Sequence, residues 1–316
     1  MDSAGVVRRA VAEFAAAHLD GSQVCVGLSG GPDSLALTAA AVRSGLDVTA
    51  LIVDHGLQSG SSRVAAEASE AAAALGAQTR ILPVSVGRRG GLEAAAREAR
   101  YAALDAARDD HPVLLAHTAD DQAETVLLGL ARGSGARSIA GMREWNPPWG
   151  RPFLGVRRSQ TLGACTDFGL APHHDPHNRD TRFTRVRLRA EVLPLLDDVL
   201  HGGVVEALGR TAAGLQDDND ALDEWAHRVA VGAIHADGLA VDPLREVPMA
   251  VRTRVVRRWL SGVGATEPTH RVITAVVALV APGAGRGAQV AIGGDPATRR
   301  VVELTGNTLT VRLTAR

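Results

Sequence analysis

The sequence predicts an α/β protein with a doubly wound, Rossmann-like parallel sheet, a long helical connector and a small α+β C-terminal domain. Its 316 residues exceed the usual size of one domain, and 46% of them are hydrophobic against 22% charged, which is enough to bury a core. Between residues 24 and 130, short apolar runs alternate with helical segments, the pattern of a parallel sheet covered by helices. We expect one domain at residues 1–215 and a smaller one at residues 216–316.

The elements of the larger domain are predicted to alternate between helix and buried strand. An opening helix is expected at Val6–Leu19, because Asp20-Gly21-Ser22 would stop it. The strands are expected at Val24–Leu28, Val48–Asp54, Thr79–Val84 and Val113–Ala116. The helices after them are expected at Ser34–Ser44, Ser61–Leu75, Leu92–Asp109 and Asp121–Arg132. Ligands of such sheets bind at the carboxyl ends of the strands, so functional residues are expected in the loops there.

The rest of the chain is predicted to hold loops, one long helix and a small mixed unit. Residues 133–176 are rich in Gly, Pro and Arg and are expected to form loops that reach over a site. One helix is expected at Val204–His235, as a connector between the domains. Beyond it, helices are expected at Pro248–Leu260 and Pro268–Val280, and strands at Gln289–Ile292, Arg300–Leu304 and Thr308–Leu313.

Composition excludes several classes of protein. The chain has no lysine, which excludes a Walker A loop, Schiff-base catalysis and ligases that charge themselves on a lysine. Its two cysteines, Cys25 and Cys165, form no CxxC pair, which argues against a disulfide framework, a zinc ribbon or a dithiol redox motif. We see neither a signal peptide nor an apolar stretch long enough to span a bilayer, and therefore expect a soluble, cytoplasmic protein with no membrane partner.

Positive charge is concentrated in two blocks of the chain. Residues 132–189 and 245–316 each hold 11 arginines against 4 acidic residues, although the net charge of the chain is −1. Two such blocks could hold a polyanion at two places, or they could be ordinary solvated basic faces. Charge alone favours the second interpretation.

The strongest chemical signal follows the first predicted strand. There the sequence reads Ser29-Gly30-Gly31-Pro32-Asp33-Ser34, and a helix is expected to begin at once. Glycines let the backbone approach a ligand closely, and the free amides of a helix start bind anions. A carboxylate such as Asp33 suits a phosphate site when a metal ion lies between the two groups. A capped turn would explain a Gly-Gly pair, but six residues in this order favour nucleotide binding.

This hexapeptide resembles the Ser-Gly-Gly-x-Asp-Ser signature of the PP-loop ATP pyrophosphatases, which cleave ATP between its α and β phosphates. Members adenylate an oxygen of their substrate, release pyrophosphate and let a nucleophile displace AMP. The resemblance implies ATP as co-substrate, magnesium (Mg²⁺) beside it and a catalytic role for Asp33. The ATP-binding residues that it implies here are Ser29, Gly30, Gly31, Pro32, Asp33 and Ser34.

The segment after the second strand narrows the resemblance to the lysidine synthases within this superfamily. Val53-Asp54-His55-Gly56-Leu57 is similar to a stretch of that family beside which the adenine lies. The resemblance implies that Asp54 and His55 also bind ATP. A capping or structural histidine is the alternative for His55.

A third similarity lies in the helix predicted after the third strand. Glu93, Arg97 and Arg100 match the Glu-x-x-Ala-Arg-x-x-Arg-Tyr pattern of the lysidine synthases and repeat at helical spacing. A surface ladder of ion pairs is the alternative. Because Tyr101, which completes the pattern, is the only tyrosine of the chain, we favour function and interpret Arg97 as catalytic.

Three carboxylates are predicted to gather at the start of the helix after the fourth strand. Asp120, Asp121 and Glu124 lie within one helical turn, where capping alone would need only one acid. Such a cluster needs a cation, and either magnesium–ATP or a lysine ammonium group would serve. The segment resembles the Ala-His-His-x-x-Asp-Asp-Gln-Ala-Glu-Thr motif of the lysidine synthases, with Thr118 in place of a histidine. We interpret Asp121 and Glu124 as catalytic and all three acids as contacts of the substrate lysine.

The basic segments that follow also resemble this family. We interpret Arg132, Arg185 and Arg189 as contacts to tRNA. His177 and Val186 depart from the family pattern. The matching segments are Arg132-Gly133-Ser134-Gly135, Gly141-Met142, Arg151-Pro152-Phe153-Leu154, residues 175–180 and residues 185–189.

These motifs, spread over residues 24–195, are typical of the tRNA(Ile)-lysidine synthase family. The resemblance implies that ATP adenylates the C2 oxygen of the wobble cytidine in an isoleucine tRNA with a CAU anticodon. Free L-lysine then attacks C2, which gives lysidine and AMP. The smaller domain is expected to assist tRNA binding, and we note a homodimer as an expectation.

Two alternatives remain at this point. A PP-loop enzyme of tRNA 2-thiolation would need paired cysteines to carry sulfur, which Cys25 and Cys165 do not provide. A catalytically silent nucleotide- or RNA-binding relative is the other alternative. The intact set of acids argues against it: Asp33, Asp120, Asp121 and Glu124.

Overall fold

Two compact units, Met1–Ala213 and Gly214–Arg316, make up the chain in a computed structural model. The structure describes residues 2–56, 60–87, 91–133, 135–173, 175, 180–266, 268–281, 287–294 and 298–315. Within these ranges no helix combines the length and the apolar character needed to cross a membrane.

A six-stranded sheet forms the centre of the first unit. Its strands are β1 (Gln23–Leu28), β2 (Asp47–Asp54), β3 (Gln78–Pro83), β4 (Val113–Leu114), β5 (Trp145–Asn146) and β6 (Trp149–Gly150). They lie in the order β3-β2-β1-β4-β6-β5, all parallel except β5, which confirms the predicted parallel sheet. Because the strand order reverses between β1 and β4, the carboxyl end of β1 is where a ligand is expected.

Helices cover both faces of this sheet. Val24 and Val26 of β1 pack into one buried cluster, whereas Cys25 packs into another with Leu104. Successive residues of a strand point to opposite faces, so the two clusters lie on the two sides of the sheet. The helices of this unit are α1 (Ser3–His18), α2 (Pro32–Arg43), α3 (Ser61–Ala74), α4 (Leu92–Ala107), α5 (Ala119–Arg132), α6 (Ala136–Ile139), α7 (Arg158–Asp167), α8 (Thr184–Arg187), a π-helical segment (Leu188–Val192) and α9 (Leu193–Val199).

Residues 133–176 differ from the prediction of loops alone. Helix α7 lies within this range and packs against α1 and α2. Its buried residues are Thr161, Ala164 and Cys165. These side chains are small or polar, so the sequence shows no apolar period that would reveal the helix.

The second unit combines helices with a five-stranded antiparallel sheet. Its strands, β7 (Ile234–His235), β8 (Gly238–Ala240), β9 (Gln289–Gly294), β10 (Thr298–Thr305) and β11 (Thr308–Ala315), lie in the order β7-β8-β11-β10-β9. Its helices are α11 (Asp242–Arg245), α12 (Met249–Gly262) and α13 (His270–Ala278). Leu239, Trp259 and Val302 pack in its core.

The long helix α10 (Val204–Ala233) contains the boundary between the two units. The prediction that this helix continues to His235 is wrong. Ile234 and His235 form the strand β7, which pairs with β8. The sheet therefore contains these two short strands in addition to the three that were predicted.

Candidate active site

The loop between β1 and α2 is held in shape by its own hydroxyl groups. Ser34, buried in the first turn of α2, accepts a hydrogen bond from the N–H of Ser29 at 3.2 Å and donates to the carbonyl oxygen of Gly31 at 3.0 Å. Gly30 has a φ of +78°, which side-chain-bearing residues rarely adopt. A Cβ atom there would also lie 3.3 Å from the Cβ of Ala68. The loop therefore presents the amino end of α2, which favours an anion such as phosphate.

A pocket of about 370 Å³ opens at the carboxyl ends of β1 and β2. Its lining includes Ser29, Gly31, Asp54 and His55 from the predicted ATP site, together with apolar side chains of β2 and α3. Volumes of this size are typical of sites for small molecules. His173 also lines the pocket. Its backbone N–H donates to the carbonyl oxygen of Gly30 at 2.9 Å, which holds the segment around His173 beside the PP-loop.

Asp54, the last residue of β2, and His55, which follows it, differ in how their polar atoms are bonded. Asp54 is already bonded to its own loop, and hydrogen bonds from Ser61 and then Ser62 lower its pKa. The Nδ1 atom of His55 is buried and has no hydrogen-bond partner among the described residues. Burial lowers the pKa of His55, so the neutral ring is favoured at pH 7. His55 therefore lines the pocket with a neutral ring.

The two arginines of α4 have different environments. Arg100 lines the pocket, and burial lowers the pKa of its guanidinium group. No carboxylate pairs with Arg100 among the described side chains, which do not include that of Glu93. Arg97 is exposed, donates to the hydroxyl of Tyr101 at 3.1 Å and stacks over the Tyr101 ring. Of the two, the pocket receives Arg100 and not the predicted catalytic residue Arg97.

His117 follows β4 and is half-buried. Its Nδ1 atom is buried and lacks a hydrogen-bond partner in the described part of the chain. Burial is the main cause that lowers the pKa of His117 to about 3, and the nearby Asp121 opposes the shift. The ring is therefore neutral at pH 7.

Asp33 lies in the first turn of α2 and faces α7. The hydroxyl of Thr161 donates to Oδ1 of Asp33, and Nε of Arg158 donates to Oδ2 at 3.3 Å. Burial raises the pKa of Asp33, and the contacts with Thr161 and Arg158 oppose this shift. Both carboxylate oxygens of Asp33 are thus engaged by one helix.

Asp121 is bonded both to its own helix and to α7. Its Oδ2 accepts from the N–H and from the hydroxyl of Thr118, each at 2.8 Å, in a capping box at the start of α5. Its Oδ1 accepts from Nη2 of Arg158 at 2.6 Å. Burial would raise the pKa of Asp121, but Arg158 and Thr118 outweigh it and lower the pKa. Thr118, which departs from the lysidine synthase motif, therefore acts as a helix cap.

Glu124 is fully buried and has arginines around it. Nε of Arg189 donates to Oε1 at 2.8 Å, while Nη1 of Arg158 and Nη1 of Arg185 each lie 3.6 Å from an oxygen of Glu124. Its Oε2 atom has no hydrogen-bond partner among the described residues. A buried carboxylate needs compensating cations, and arginines of this chain supply them.

Asp120 takes part in a separate ion pair. It accepts from Nε and Nη2 of Arg157 at 3.3 and 3.2 Å, and from the backbone N–H of Arg158 at 2.8 Å. Arg157 also donates to Glu206 at 2.8 Å. Asp120 therefore fixes the start of α7, whereas Asp121 and Glu124 meet the guanidinium group of Arg158.

Two of the predicted tRNA-binding arginines lie beside a buried carboxylate, and the third is exposed. Arg185 on α8 and Arg189 on the π-helical segment lie beside Glu124, so part of their charge is compensated within the protein. Arg132 is exposed in the last turn of α5.

Other residues of the recognised motifs hold loops in place. The side-chain amide of Gln122 donates to the carbonyl oxygen of Met142 at 2.8 Å and accepts from its N–H at 2.7 Å. Arg151 is buried and donates to the carbonyl oxygen of Arg143 at 2.9 Å. Some predicted motif positions lie outside the described residues: Leu57, Ser134, residues 176–179 and the side chain of Glu93.

The acids around Asp33 do not form a ready metal site. In the described ranges, no group of three or more His, Cys, Asp or Glu side chains is arranged to hold a metal ion. Arg158 and Thr161 already engage both oxygens of Asp33. These residues do not fit a magnesium ion held by Asp33 while Arg158 keeps its place.

The structure adds residues that the sequence does not reveal. Arg157, Arg158 and Thr161 of the α7 start all contact the predicted acids. They lie shortly after the Arg151-Pro152-Phe153-Leu154 motif in the sequence. Their closeness to this motif is the one feature of the sequence that points to them. Arg100, by contrast, stands inside a recognised motif.

The two cysteines are buried and unsuited to sulfur transfer. Burial raises the pKa of Cys25 and of Cys165 to about 11 in each case. Both thiols are therefore protonated at pH 7 and weakly nucleophilic. This argues against the thiolation alternative.

Known proteins match both units. The PP-loop domain family matches residues 5–196, and the TilS substrate binding domain family matches residues 239–302. The chain is 56% identical to the tRNA(Ile)-lysidine synthase of Nocardia farcinica, over 98% of this chain and 99% of that protein. It is 57% identical to the enzyme of the same name from Mycobacterium bovis, over 94% and 93%.

A likeness to a solved structure concerns the fold alone. The U34-tRNA thiolase NcsA from Methanococcus maripaludis superposes with a TM-score of 0.55 at 16% identity, over 67% of this chain and 79% of that one. This agrees with the parallel sheet of the first unit.

Proposed function

The chain belongs to the tRNA(Ile)-lysidine synthase family of PP-loop enzymes, and from this premise we propose how its residues carry the reaction. It is an ATP-using ligase that modifies tRNA. ATP adenylates the C2 oxygen of the wobble cytidine in isoleucine tRNA with a CAU anticodon, and pyrophosphate leaves. The ε-amino nitrogen of free L-lysine then bonds to C2 and loses a proton, AMP leaves with the oxygen, and lysidine results.

The observation that carries this proposal is the pocket at the carboxyl ends of β1 and β2. Its volume suits an adenosine group, and the neutral ring of His55 lines it together with apolar side chains of β2 and α3. The phosphates then lie at residues 29–34, where the amides at the start of α2 and the hydroxyl groups of Ser29 and Ser34 can face them. Asp54 shapes the adjoining turn through its bond to the N–H of Gly56 at 3.0 Å.

Arg100 is the cation that we assign to the adenylation step. It lines the pocket and has no acidic partner among the described side chains, so its charge is available to the phosphates of ATP. Charge that is fixed in place before the reaction stabilises a transition state strongly. Arg97 is bonded to Tyr101 and takes a smaller part.

Magnesium enters this proposal bound to the phosphates of ATP. A site formed by the protein alone is not supported, because Thr161 and Arg158 engage both oxygens of Asp33. The ion would neutralise phosphate charge when it is bound.

The substrate lysine is proposed to place a cationic group at Asp121 and Glu124. Both acids contact the guanidinium group of Arg158, and Oε2 of Glu124 has no hydrogen-bond partner among the described residues. Oε2 of Glu124 is therefore the carboxylate atom of this pair that a cationic group of lysine could contact. Asp120 anchors α7 and is assigned no direct contact with lysine.

For tRNA, we propose contacts from Arg132 and from the second unit. Residues 239–302 match a substrate-binding domain, and they overlap the basic block at 245–316. We propose residues 1–215 as the catalytic domain and residues 216–316 as the domain that assists tRNA binding, in a cytoplasmic enzyme. The homodimer stays a prediction that sedimentation of the purified protein would test.

The function is tested with radiolabelled L-lysine, ATP and two unmodified isoleucine tRNA transcripts that carry CAU or GAU anticodons. We expect ATP-dependent labelling of the CAU transcript alone. Equal labelling of both transcripts, or of neither, would contradict the proposal. A reaction without ATP is the control for non-covalent retention of lysine.

A further inference from the structure

One face of helix α7 contacts the PP-loop. Arg158, Thr161 and Cys165 are three and four positions apart, so they lie on the same side of this helix. Arg158 and Thr161 engage the two oxygens of Asp33, and Sγ of Cys165 donates to the carbonyl oxygen of Pro32 at 3.3 Å. The loop is thus held by α7 as well as by the hydrogen bonds within it.

The contact of Thr161 differs from the other two because it is both strong and confined to the loop. Arg158 also contacts two acids of α5, so its removal would have a second effect. The thiol of Cys165 is only a weak donor. Thr161 is fully buried, and its hydroxyl has two acceptors, Oδ1 of Asp33 and the carbonyl oxygen of Arg158 at 2.8 Å. The second acceptor belongs to its own helix, a common arrangement for threonine, so Asp33 is the acceptor that links Thr161 to the loop.

We propose that Thr161 is a positioning residue for the adenylation step, which holds the carboxylate of Asp33 against α7 and thereby fixes how the start of α2 faces the phosphates of ATP. The inference deepens the proposed function and rests on it. Asp33 and Ser34 are the second and third residues of α2, beside the amides that are assigned to the phosphates. A contact that fixes the side chain of Asp33 therefore also fixes these amides.

Donors that are fixed in place matter most where charge develops during the reaction. When the bond between the α and β phosphates breaks, the leaving pyrophosphate gains negative charge, and amides that already face it stabilise this charge. The adenosine group is bound instead by the pocket, which Thr161 does not line. Loss of the Thr161 hydroxyl should therefore slow the release of pyrophosphate more than it weakens the binding of ATP.

The test compares the wild-type protein with Thr161→Val, in which a methyl group replaces the hydroxyl. Release of pyrophosphate is measured with saturating ATP and CAU tRNA. Binding of α,β-methylene-ATP, in which the bond between the α and β phosphates cannot be cleaved, is measured by calorimetry. Because Asp33 loses a donor, we expect kcat to fall about tenfold while the dissociation constant changes by less than about threefold. The kcat is expressed per binding site, so unfolded protein does not lower it.

Thr38→Val is the matched control. Thr38 is also fully buried, and its hydroxyl donates to the carbonyl oxygen of Ser34 within its own helix at 2.9 Å. The same change of atoms should therefore leave kcat within about twofold of the wild type. Thr161→Ser, which keeps the hydroxyl, should retain kcat within about threefold.

Three results would overturn the inference. One is an unchanged kcat in Thr161→Val, and another is an equal loss in Thr38→Val or in Thr161→Ser. The third is the result expected of a structural role alone, in which Thr161→Val has fewer binding sites and a lower midpoint of thermal unfolding but the same kcat per site. If circular dichroism shows that Thr161→Val does not fold, Thr161→Ala replaces it, since alanine favours a helix, and the same loss is expected.

Failure of the proposed function would appear in the wild-type protein itself. A wild-type protein that releases no pyrophosphate with CAU tRNA would contradict the proposed function, and the inference would fail with it. An active wild-type protein together with an equally active Thr161→Val would overturn the inference alone.

Discussion

The nucleotide pocket and the acid cluster, which comprises Asp33, Asp121 and Glu124, lie in the same unit, but their charged groups are paired to different degrees. In the pocket, His55 has a buried atom without a hydrogen bond and Arg100 has no acidic partner among the described side chains. In the cluster, Asp33 and Asp121 are already matched by Arg158. A ligand of the pocket would meet a cation that no described carboxylate compensates, whereas arginines of the chain already compensate the carboxylates of the cluster.

This difference suggests a division of the reaction between the two regions. Adenylation should depend on the pocket and its cation, and attack by lysine should depend on the cluster. Substitutions in the two regions should then separate release of pyrophosphate from incorporation of lysine.

The largest effect is expected from Arg100→Met. Removal of a fixed charge from the pocket should lower kcat/KM for ATP about a hundredfold in pyrophosphate release. The matched control is Arg97→Met on the same helix, where we expect a loss within about fivefold, because that side chain interacts with Tyr101. Similar losses in both variants would remove the distinction between the two arginines.

Ser34→Ala should weaken use of ATP roughly ten- to a hundredfold without unfolding the protein. The change removes the group that closes the loop between Ser29 and Gly31 and that can face the phosphates. Thr38→Val is the control, since its hydroxyl donates to the backbone carbonyl oxygen of Ser34 at 2.9 Å. Unchanged pyrophosphate release at limiting ATP would show that the loop is only a turn.

Glu124→Gln tests whether the acid cluster serves the attack by lysine. We expect the KM for lysine to rise about tenfold, while pyrophosphate release changes by less than about threefold, because adenylation precedes lysine attack. Asp120→Asn is the control, and it should weaken the start of α7 without changing the KM for lysine.

The outcome for Glu124→Gln separates three roles. Equal loss of both half-reactions would indicate that Glu124 serves adenylation. Survival of both would indicate a structural role alone, in which Glu124 compensates the arginines around it.

A pH dependence of stability should come from His117. Its pKa in the folded chain lies below the unfolded value near 6.5, so below that pH the unfolded chain binds a proton that the folded one resists. Stability is complete above about pH 6.5 and falls by at most about 1.4 kcal/mol per pH unit as the pH drops towards the folded pKa. Urea unfolding at neutral and acidic pH should show this slope reduced in His117→Gln but kept in the exposed control His235→Gln.

The smallest effect is expected from the double substitution Cys25→Ala/Cys165→Ala. Because both thiols are buried and protonated, lysine incorporation should stay within about twofold of the wild type, with some loss of stability from packing. Loss of modification in a folded double variant would revive the thiolation alternative.

How far the sequence could predict the site depends on how local each interaction is. Residues 29–34, Asp54 and His55 follow strands that the apolar pattern marks clearly, so the order of elements leads to the pocket. The contact of Asp33 with Arg158 joins residues 125 positions apart through a helix without an apolar period, and it could not be predicted. Thr118 departs from the family motif, and its role as the cap of α5, which accepts a hydrogen bond from the N–H of Asp121 at 3.4 Å, depends on the local fold.

The most direct test of the division between the two regions uses ATP labelled at its α phosphate, with CAU tRNA and no lysine. We expect pyrophosphate to be released and the label to become attached to tRNA, and then to leave as AMP when lysine is added. Formation of ADP would contradict the PP-loop chemistry. Release of pyrophosphate only after lysine is added would contradict the claim that the pocket acts before the acid cluster.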